Sequence, residues 1–280
     1  MRSCIIGRCS NELETRTRLV DPVSPLCYIY ERNKLVKYQE RFGATKRVFA
    51  CAGYDSPTSL LRVVLAARNS GADGIFVEVK SSSGCFPVSE NLFFDVHTMV
   101  PGILIGFRFG NMLRDGVSNN VGALFGIPQE AFGVDLRERQ AETVLALRHR
   151  QVKYSGLVFS EVPAWVPDPN YRNLTDEGRV QKFVDVLVTP FPPTADTPQN
   201  EGIRGAVRVQ ALRQLRDKYP TKGLALEGYF PDQVKTYLPL ADCVLVDLFD
   251  YRGRVSKEFK EIVEITRSLN ALQSSHTQGR

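Results

Sequence analysis

The sequence predicts an α/β protein in which eight parallel strands alternate with helices to form a (β/α)8 barrel. From residue 47 onwards, short apolar and β-branched runs alternate with segments whose apolar residues recur at helical spacing. Eight such runs occur, and nearly all are continuously apolar, as expected of parallel strands covered on both faces. No GxGxxG follows the first run, which disfavours the alternative of a doubly wound dinucleotide-binding sheet.

The elements follow one another at near-even spacing. The predicted strands are residues 47–52, 74–79, 103–109, 121–127, 156–162, 184–189, 223–227 and 242–247. The predicted helices are residues 59–70, 89–100, 135–151, 203–219, 232–238 and 256–272, each with its apolar residues on one face. The crossover at residues 110–120 is close to the minimum for a parallel connection, so we expect a shortened third helix.

The positive charge is confined to the start of the chain. The 280 residues have a formal net charge of +5, yet residues 1–50 hold ten Lys or Arg against five Asp or Glu, and the remainder holds 26 of each. We therefore expect a basic N-terminal extension over residues 1–46, with a candidate hairpin at 27–38, a barrel over 47–272 and a frayed tail over 273–280. The extension is the candidate surface for a protein partner or a second copy of the chain.

Composition excludes several classes of protein. With 43% hydrophobic and 24% charged residues and no apolar run near the ~20 residues of a membrane span, the chain is typical of a soluble globular protein. Its Lys and Arg do not cluster in a stripe, so no nucleic-acid partner is predicted. Cys51 and Cys243 lie in apolar runs and no CxxC occurs, which favours buried thiols in a reducing, cytoplasmic compartment. Arginines near the start leave an organelle transit peptide as the alternative.

Carboxylates end four of the eight predicted strands. A barrel brings these ends together at its functional face. Glu78, Glu161, Glu227 and Asp247 are therefore expected in one cup, the polar layer at the carboxyl ends of the strands. Carboxylates held close together repel one another unless a cation shares their site. The pattern therefore indicates either a general acid and base or a site for Mg2+ or Mn2+, with Glu78, Glu227 and Asp247 as the candidate ligands.

The other strand ends supply the rest of the candidate site. We predict Glu78 and Glu161 as the acid/base pair, with Arg108 and Asn111 stabilising developing negative charge. The candidate substrate-binding residues are Thr189, Glu227, Gly228 and Asp247. The structural alternative is that some acids form plain ion pairs with Arg108, Lys80 or Arg252. No GxSxG, Walker loop or HExxH occurs, which disfavours Ser-His nucleophilic chemistry and a histidine-based zinc site.

Five segments, in order, resemble the BtpA family of phosphate-binding-type TIM barrels, named for a photosystem I biogenesis protein. These are residues 70–78 (SGADGIFVE), 110–115 (GNMLRD), 134–150 with 156–162, 185–189 (DVLVT) and 240–246 (LADCVLV). The resemblance implies a TIM barrel and makes Glu78 the counterpart of the family's strand-end Glu. It names no reaction, because the family is linked to accumulation of photosystem I proteins and has no firmly assigned one.

The chain departs from such barrels after the seventh and eighth strands. Glycine-rich turns usually lie there and hold a phosphate with backbone N–H groups. Here the turns are EGYFPD at 227–232 and DLFD at 247–250, in which one glycine remains and acids and aromatics replace the others. The usual phosphate site is therefore expected to be lost or changed.

Two functions follow from these observations. The first is an enzyme, a lyase, isomerase or hydrolase, that acts on a small sugar or nucleoside-like substrate through the strand-end carboxylates. The second is a non-catalytic barrel that serves assembly or interaction through residues 1–46. Polar strand ends are costly to bury without a use, which favours the enzyme.

Overall fold

The computed structural model describes residues 38–79, 90–109, 128, 130–136, 156–161, 184–190 and 201–278. Eight parallel strands form one closed barrel, in which each strand pairs with the next and β8 pairs with β1. The strands are β1 Arg47–Tyr54, β2 Gly74–Val79, β3 Leu104–Phe109, β4 Gly133–Leu136, β5 Leu157–Glu161, β6 Val186–Pro190, β7 Gly223–Glu227 and β8 Cys243–Asp247. The predicted (β/α)8 barrel is confirmed.

Helices occupy the connections that the structure describes. They are α1 Tyr38–Phe42, α2 Pro57–Asn69, α3 Glu90–Met99, α4 Glu201–Lys218, α5 Pro231–Tyr237 and α6 Lys257–Gln278, with a 3-10 turn at Leu238–Leu240. The start of α2 is fixed by Ser56, whose hydroxyl accepts the Ser59 amide while the Ser59 hydroxyl accepts the Ser56 amide. Within the described residues, none of these helices combines the length and the apolar character needed to cross a membrane.

The fourth strand corrects the sequence prediction. It is Gly133–Leu136, not residues 121–127, and it lies where the sequence predicted the first turn of a helix over 135–151. Its register pairs Arg108 with Asp135 on one side and Gly133 with Leu157 on the other. The connection after β3 is therefore longer than predicted. The expected short helix at 110–120 and the rest of the predicted helix lie outside the described residues.

Described residues lie at both ends of the barrel. The side chains of Tyr38 and Phe42 in α1, within the predicted extension, are buried in the barrel interior. These aromatic side chains close the amino-terminal end of the barrel. At the other end, α6 continues past residue 272 to Gln278. The candidate hairpin at 27–38 lies outside the described residues apart from Tyr38.

Large aromatic side chains fill the interior of the barrel. Phe49, Phe76, Phe132 and Phe159 contact one another with ring centroids 4.8 to 6.2 Å apart. This packing requires a small residue on β3, because a Cβ at Gly106 would lie 2.8 Å from the ring of Phe132. The interior is a filled core, and only the layer above these rings is left for a site.

Three aspartates join neighbouring strands at the opposite, amino-terminal end. Each lies just before a strand and accepts the backbone N–H of the second residue of the preceding strand: Asp73 from Val48, Asp185 from Val158 and Asp242 from Leu224. These three aspartates therefore stabilise the barrel at the end opposite its candidate site.

Candidate functional site

The candidate site lies at the carboxyl ends of the strands, on the interior side. Side chains alternate along a strand, so residues two apart share a face. Phe76, Ala225 and Leu245 belong to the interior cluster, which places Glu78, Glu227 and Asp247 on the same side, one layer nearer the carboxyl end. Arg108 lies within ion-pair distance of Glu227 at this level.

Arg108 is the centre of the layer. Its Nε donates to Asp135 Oδ2 at 2.7 Å, and its Nη2 lies 3.0 Å from Glu227 Oε1. The three side chains are only 6%, 1% and 12% exposed. The Nη2 contact is an ion pair without hydrogen-bond alignment, so this buried nitrogen has no hydrogen-bond partner in the described part of the chain. The guanidinium is therefore tightly held by Asp135 but keeps a donor to offer.

The charge of Arg108 is fixed by its neighbours. Burial opposes a charged guanidinium, but Cys51, Asp135 and Asp247 outweigh that effect and hold the pKa of Arg108 above its ordinary value. Arg108 is consequently a permanent cation in this layer. Part of the structural alternative is thereby realised, since Glu227 forms an ion pair with Arg108.

Glu78 lies on the adjacent strand at the same level. It is the register partner of Arg108 on β3 and of Gly53 on β1, and its side chain is half-buried. Within the residues that the structure describes, its carboxylate has no hydrogen bond or ion pair. Glu78 is therefore a carboxylate beside a fixed cation with its oxygens available to a ligand.

The predicted metal ligands do not come together. In the described ranges, no group of three or more His, Cys, Asp or Glu is arranged to hold a metal ion, so Glu78, Glu227 and Asp247 are not brought together there as a set of three ligands. The physical reason is Arg108, because its guanidinium already neutralises Glu227 and occupies the space between the strands. Asp247 is exposed at the end of β8.

The remaining predicted residues have different positions. Thr189 shares the face of Leu187, which packs in the outer cluster, and its hydroxyl donates to the Ala225 carbonyl at 2.9 Å. Thr189 therefore stabilises the β6–β7 pair and does not join the cup. Gly228 follows β7 with a φ of +71° and is exposed. Asn111 and the side chain of Glu161 lie outside what the structure describes.

Asp135 is the site residue that the sequence prediction missed. It follows an apolar run and precedes a helical pattern, so the sequence predicts a helix start at this position, where Asp is common. The sequence contains one signal for this strand, since polar and apolar residues alternate over Gly133–Leu136. A strand at that place brings the carboxylate of Asp135 next to Arg108. Buried Arg requires such a partner.

Comparison with known proteins supports the fold. No protein-family model matches the chain, and no curated protein matches it either. Among solved structures, the chain is similar to orotidine 5'-monophosphate decarboxylase from Methanocaldococcus jannaschii, with a TM-score of 0.54, 15% identity and coverage of 81% of this chain and 99% of that one. The fold is a TIM barrel.

Two further structures are similar to the same degree. Type I 3-dehydroquinate dehydratase from Clostridium difficile aligns with a TM-score of 0.55, 11% identity and coverage of 81% of this chain and 94% of that one. The tryptophan synthase alpha subunit from Campylobacter jejuni aligns with a TM-score of 0.51, 12% identity and coverage of 83% and 98%. These identities establish the TIM barrel alone, because one barrel fold hosts many chemistries.

Proposed function

We propose that this TIM barrel is an enzyme that performs acid–base chemistry on a small, hydroxylated, sugar-like or nucleoside-like substrate. The observation that carries the proposal is the pair of Arg108 and Glu78 at adjacent strand ends. One is a buried permanent cation with a donor nitrogen that has no hydrogen-bond partner, and the other is a half-buried carboxylate without a partner, both within the described residues. Characterised TIM-barrel enzymes build their sites from residues at this end of the barrel.

Each residue has a distinct role in this proposal. Glu78 moves the proton, since its carboxylate is available and a group that transfers protons must reach the substrate directly. Arg108 stabilises negative charge that develops on a substrate oxygen. Asp135 positions the guanidinium, and Glu227 binds a substrate hydroxyl beside it. Glu161, Asn111 and Asp247 stay in the proposal as strand-end groups that contact the substrate.

The reaction class is a lyase, isomerase or hydrolase. A carboxylate next to a guanidinium suits removal of a proton from carbon or oxygen while the adjacent oxygen gains charge, and these three classes share that step. The described carboxylates form no metal site, so the proposal uses no metal ion. We also infer a divergent relationship to the BtpA family, supported by the order of five motifs along the chain.

A substrate panel tests the proposal without knowledge of the substrate. The protein is incubated in D2O with pooled neutral sugars, polyols and nucleosides, and proton NMR records both bond cleavage and exchange of C–H protons for deuterium. We expect turnover of at least one compound. Glu78→Gln should lower that rate by about 10²- to 10⁴-fold, the usual contribution of a general acid or base.

A matched variant separates catalysis from folding. Glu264 is an exposed glutamate on α6, far along the chain from the strand ends, and Glu264→Gln should leave the rate unchanged. Equal rates in Glu78→Gln and the wild type would remove Glu78 from the mechanism. A pool left intact by the wild type would favour the non-catalytic interaction protein.

A further inference from the structure

The loop after β8 closes on itself around one carboxylate. Residues 248–256 return in a tight turn, held by an antiparallel bridge between Phe249 and Val255. At its tip, Asp250 Oδ1 accepts the backbone N–H groups of Arg252 at 2.8 Å and Arg254 at 3.0 Å. The guanidinium of Arg254 donates to Asp250 Oδ2 at 3.2 and 3.3 Å. Asp250 thus receives the donors that a bound anion would otherwise receive.

Other amides of this loop are also committed to internal acceptors. The Leu248 amide donates to the Cys51 carbonyl at 2.9 Å, which ties the loop to β1. The amides of Asp250, Gly253 and Ser256 donate to the carbonyls of Arg254, Asp250 and Leu248. The hydrogen bonds from the backbone of Arg254 lower the pKa of Asp250, so its carboxylate stays ionised at neutral pH.

The loop after β7 is closed in a comparable way. The Phe230 amide donates to Gln233 Oε1 at 3.0 Å, and the amides of Gln233 and Val234 donate to the Phe230 carbonyl at 2.9 Å. Pro231 begins α5 and has no N–H to offer. Asp232 adds a negative charge in the first turn. These amides are therefore not available to an anionic group.

These two loops form the corner where TIM-barrel enzymes frequently bind a phosphate group. We propose that this corner is closed by the carboxylate of Asp250 and that the site takes its hydroxylated substrate in the unphosphorylated form. This inference rests on the proposed function and specifies its substrate class. Asp247, exposed at the end of β8 beside the closed loop, adds repulsion toward a phosphate.

Matched pairs of compounds test the substrate class. Each pair differs only by a phosphate, such as ribose with ribose 5-phosphate and a nucleoside with its 5'-monophosphate. Binding to the wild-type protein is measured by thermal shift and calorimetry, and turnover by the NMR assay. We expect the free member of at least one pair to bind and the phosphorylated member to bind at least tenfold more weakly.

Inorganic phosphate provides an independent test of the closed corner. At constant ionic strength set with chloride, phosphate should not stabilise the wild-type protein. Asp250→Ala removes the internal carboxylate while leaving the Arg252 and Arg254 amides in place, so phosphate should raise its melting temperature in a saturable way. Asp250→Asn keeps an oxygen for those two amides and should not respond. Glu264→Ala, which removes an exposed acid from α6 outside both loops, is the matched control and should also not respond.

The outcomes separate this inference from the proposed function. Equal or tighter binding of a phosphorylated member, or saturable stabilisation of the wild type by inorganic phosphate, would overturn the inference and leave the enzyme intact. The inference also fails if the Asp250→Ala variant is folded by circular dichroism but its melting temperature does not rise with phosphate. That result would show that the Asp250 carboxylate does not occupy the position of a bound anion. If neither member of any pair binds or reacts, both the substrate class and the proposed function fail.

Discussion

Replacing Arg108 with methionine should destabilise the barrel strongly at neutral pH. The substitution keeps much of the side-chain volume but removes the charge that pairs with Asp135 at 2.7 Å and Glu227 at 3.0 Å. Asp135 is 1% exposed, so its carboxylate would remain buried without a counter-ion. Breaking a buried pair in this way costs about 3–5 kcal/mol. With a urea dependence of about 2–3 kcal/mol per M, the unfolding midpoint should fall by about 1–2.5 M.

Two further variants identify the cause of the loss. Adding Asp135→Asn to Arg108→Met removes the buried charge and should restore at least about 1 kcal/mol. Arg47→Met breaks an ion pair with Asp73 of similar length, 2.8 Å, but with side chains 31% and 28% exposed. It should cost about 1 kcal/mol or less. An Arg108→Met loss no larger than that of Arg47→Met, or a double variant no more stable than the single, would refute the reasoning.

Three other predictions concern the barrel itself. Gly106→Ala should lower the unfolding free energy by about 1–3 kcal/mol, because its Cβ would lie 2.8 Å from a backbone oxygen and a phenylalanine ring; an unchanged urea midpoint would contradict this. Burial raises the pKa of the Cys243 thiol. Because Cys51 and Cys243 are both buried, mass spectrometry should find them unlabelled by iodoacetamide at pH 8 until urea unfolds the protein. Asp185→Ala should lower the unfolding free energy by about 1–3 kcal/mol, because it leaves the buried Val158 amide unpaired. Asp95→Ala at an exposed position should change the unfolding free energy by about 0.5 kcal/mol at most. Equal losses in the two variants would contradict the proposed role of the Asp185 carboxylate.

The strands could be predicted where each one is long enough to carry a continuous apolar run. The predicted bounds of β2 and β7 match the structure, and β1 only extends two residues further. The fourth strand failed because it has four residues, one of which is Gly and one Asp, both unfavourable in strands. Residues 121–127 offered a stronger apolar signal. Short strands are defined by their neighbours in the barrel, and local sequence carries little of that information.

The candidate site shows the same limit more clearly. Glu78, Arg108, Glu227 and Asp247 were predicted because each ends a recognisable strand, and the period of two then sets their common face. Thr189 also ends its predicted strand, but it lies on the face of Leu187, and a difference of one position places a side chain on the opposite side of the sheet. Asp135 was missed together with its strand. An ion pair between strands cannot be predicted when one of the strands is misplaced.

Asp135 also changes what the acid-rich end of the barrel can do. Four strand-end carboxylates without a cation would repel one another and favour a divalent metal. With Arg108 fixed between Asp135 and Glu227, part of that repulsion is neutralised from within the protein. The phenylalanine layer below closes the interior, so a ligand reaches this level only from the carboxyl end of the barrel. There it meets Glu78 and the Arg108 guanidinium on adjacent strands, the pair on which the proposed proton transfer with charge stabilisation depends.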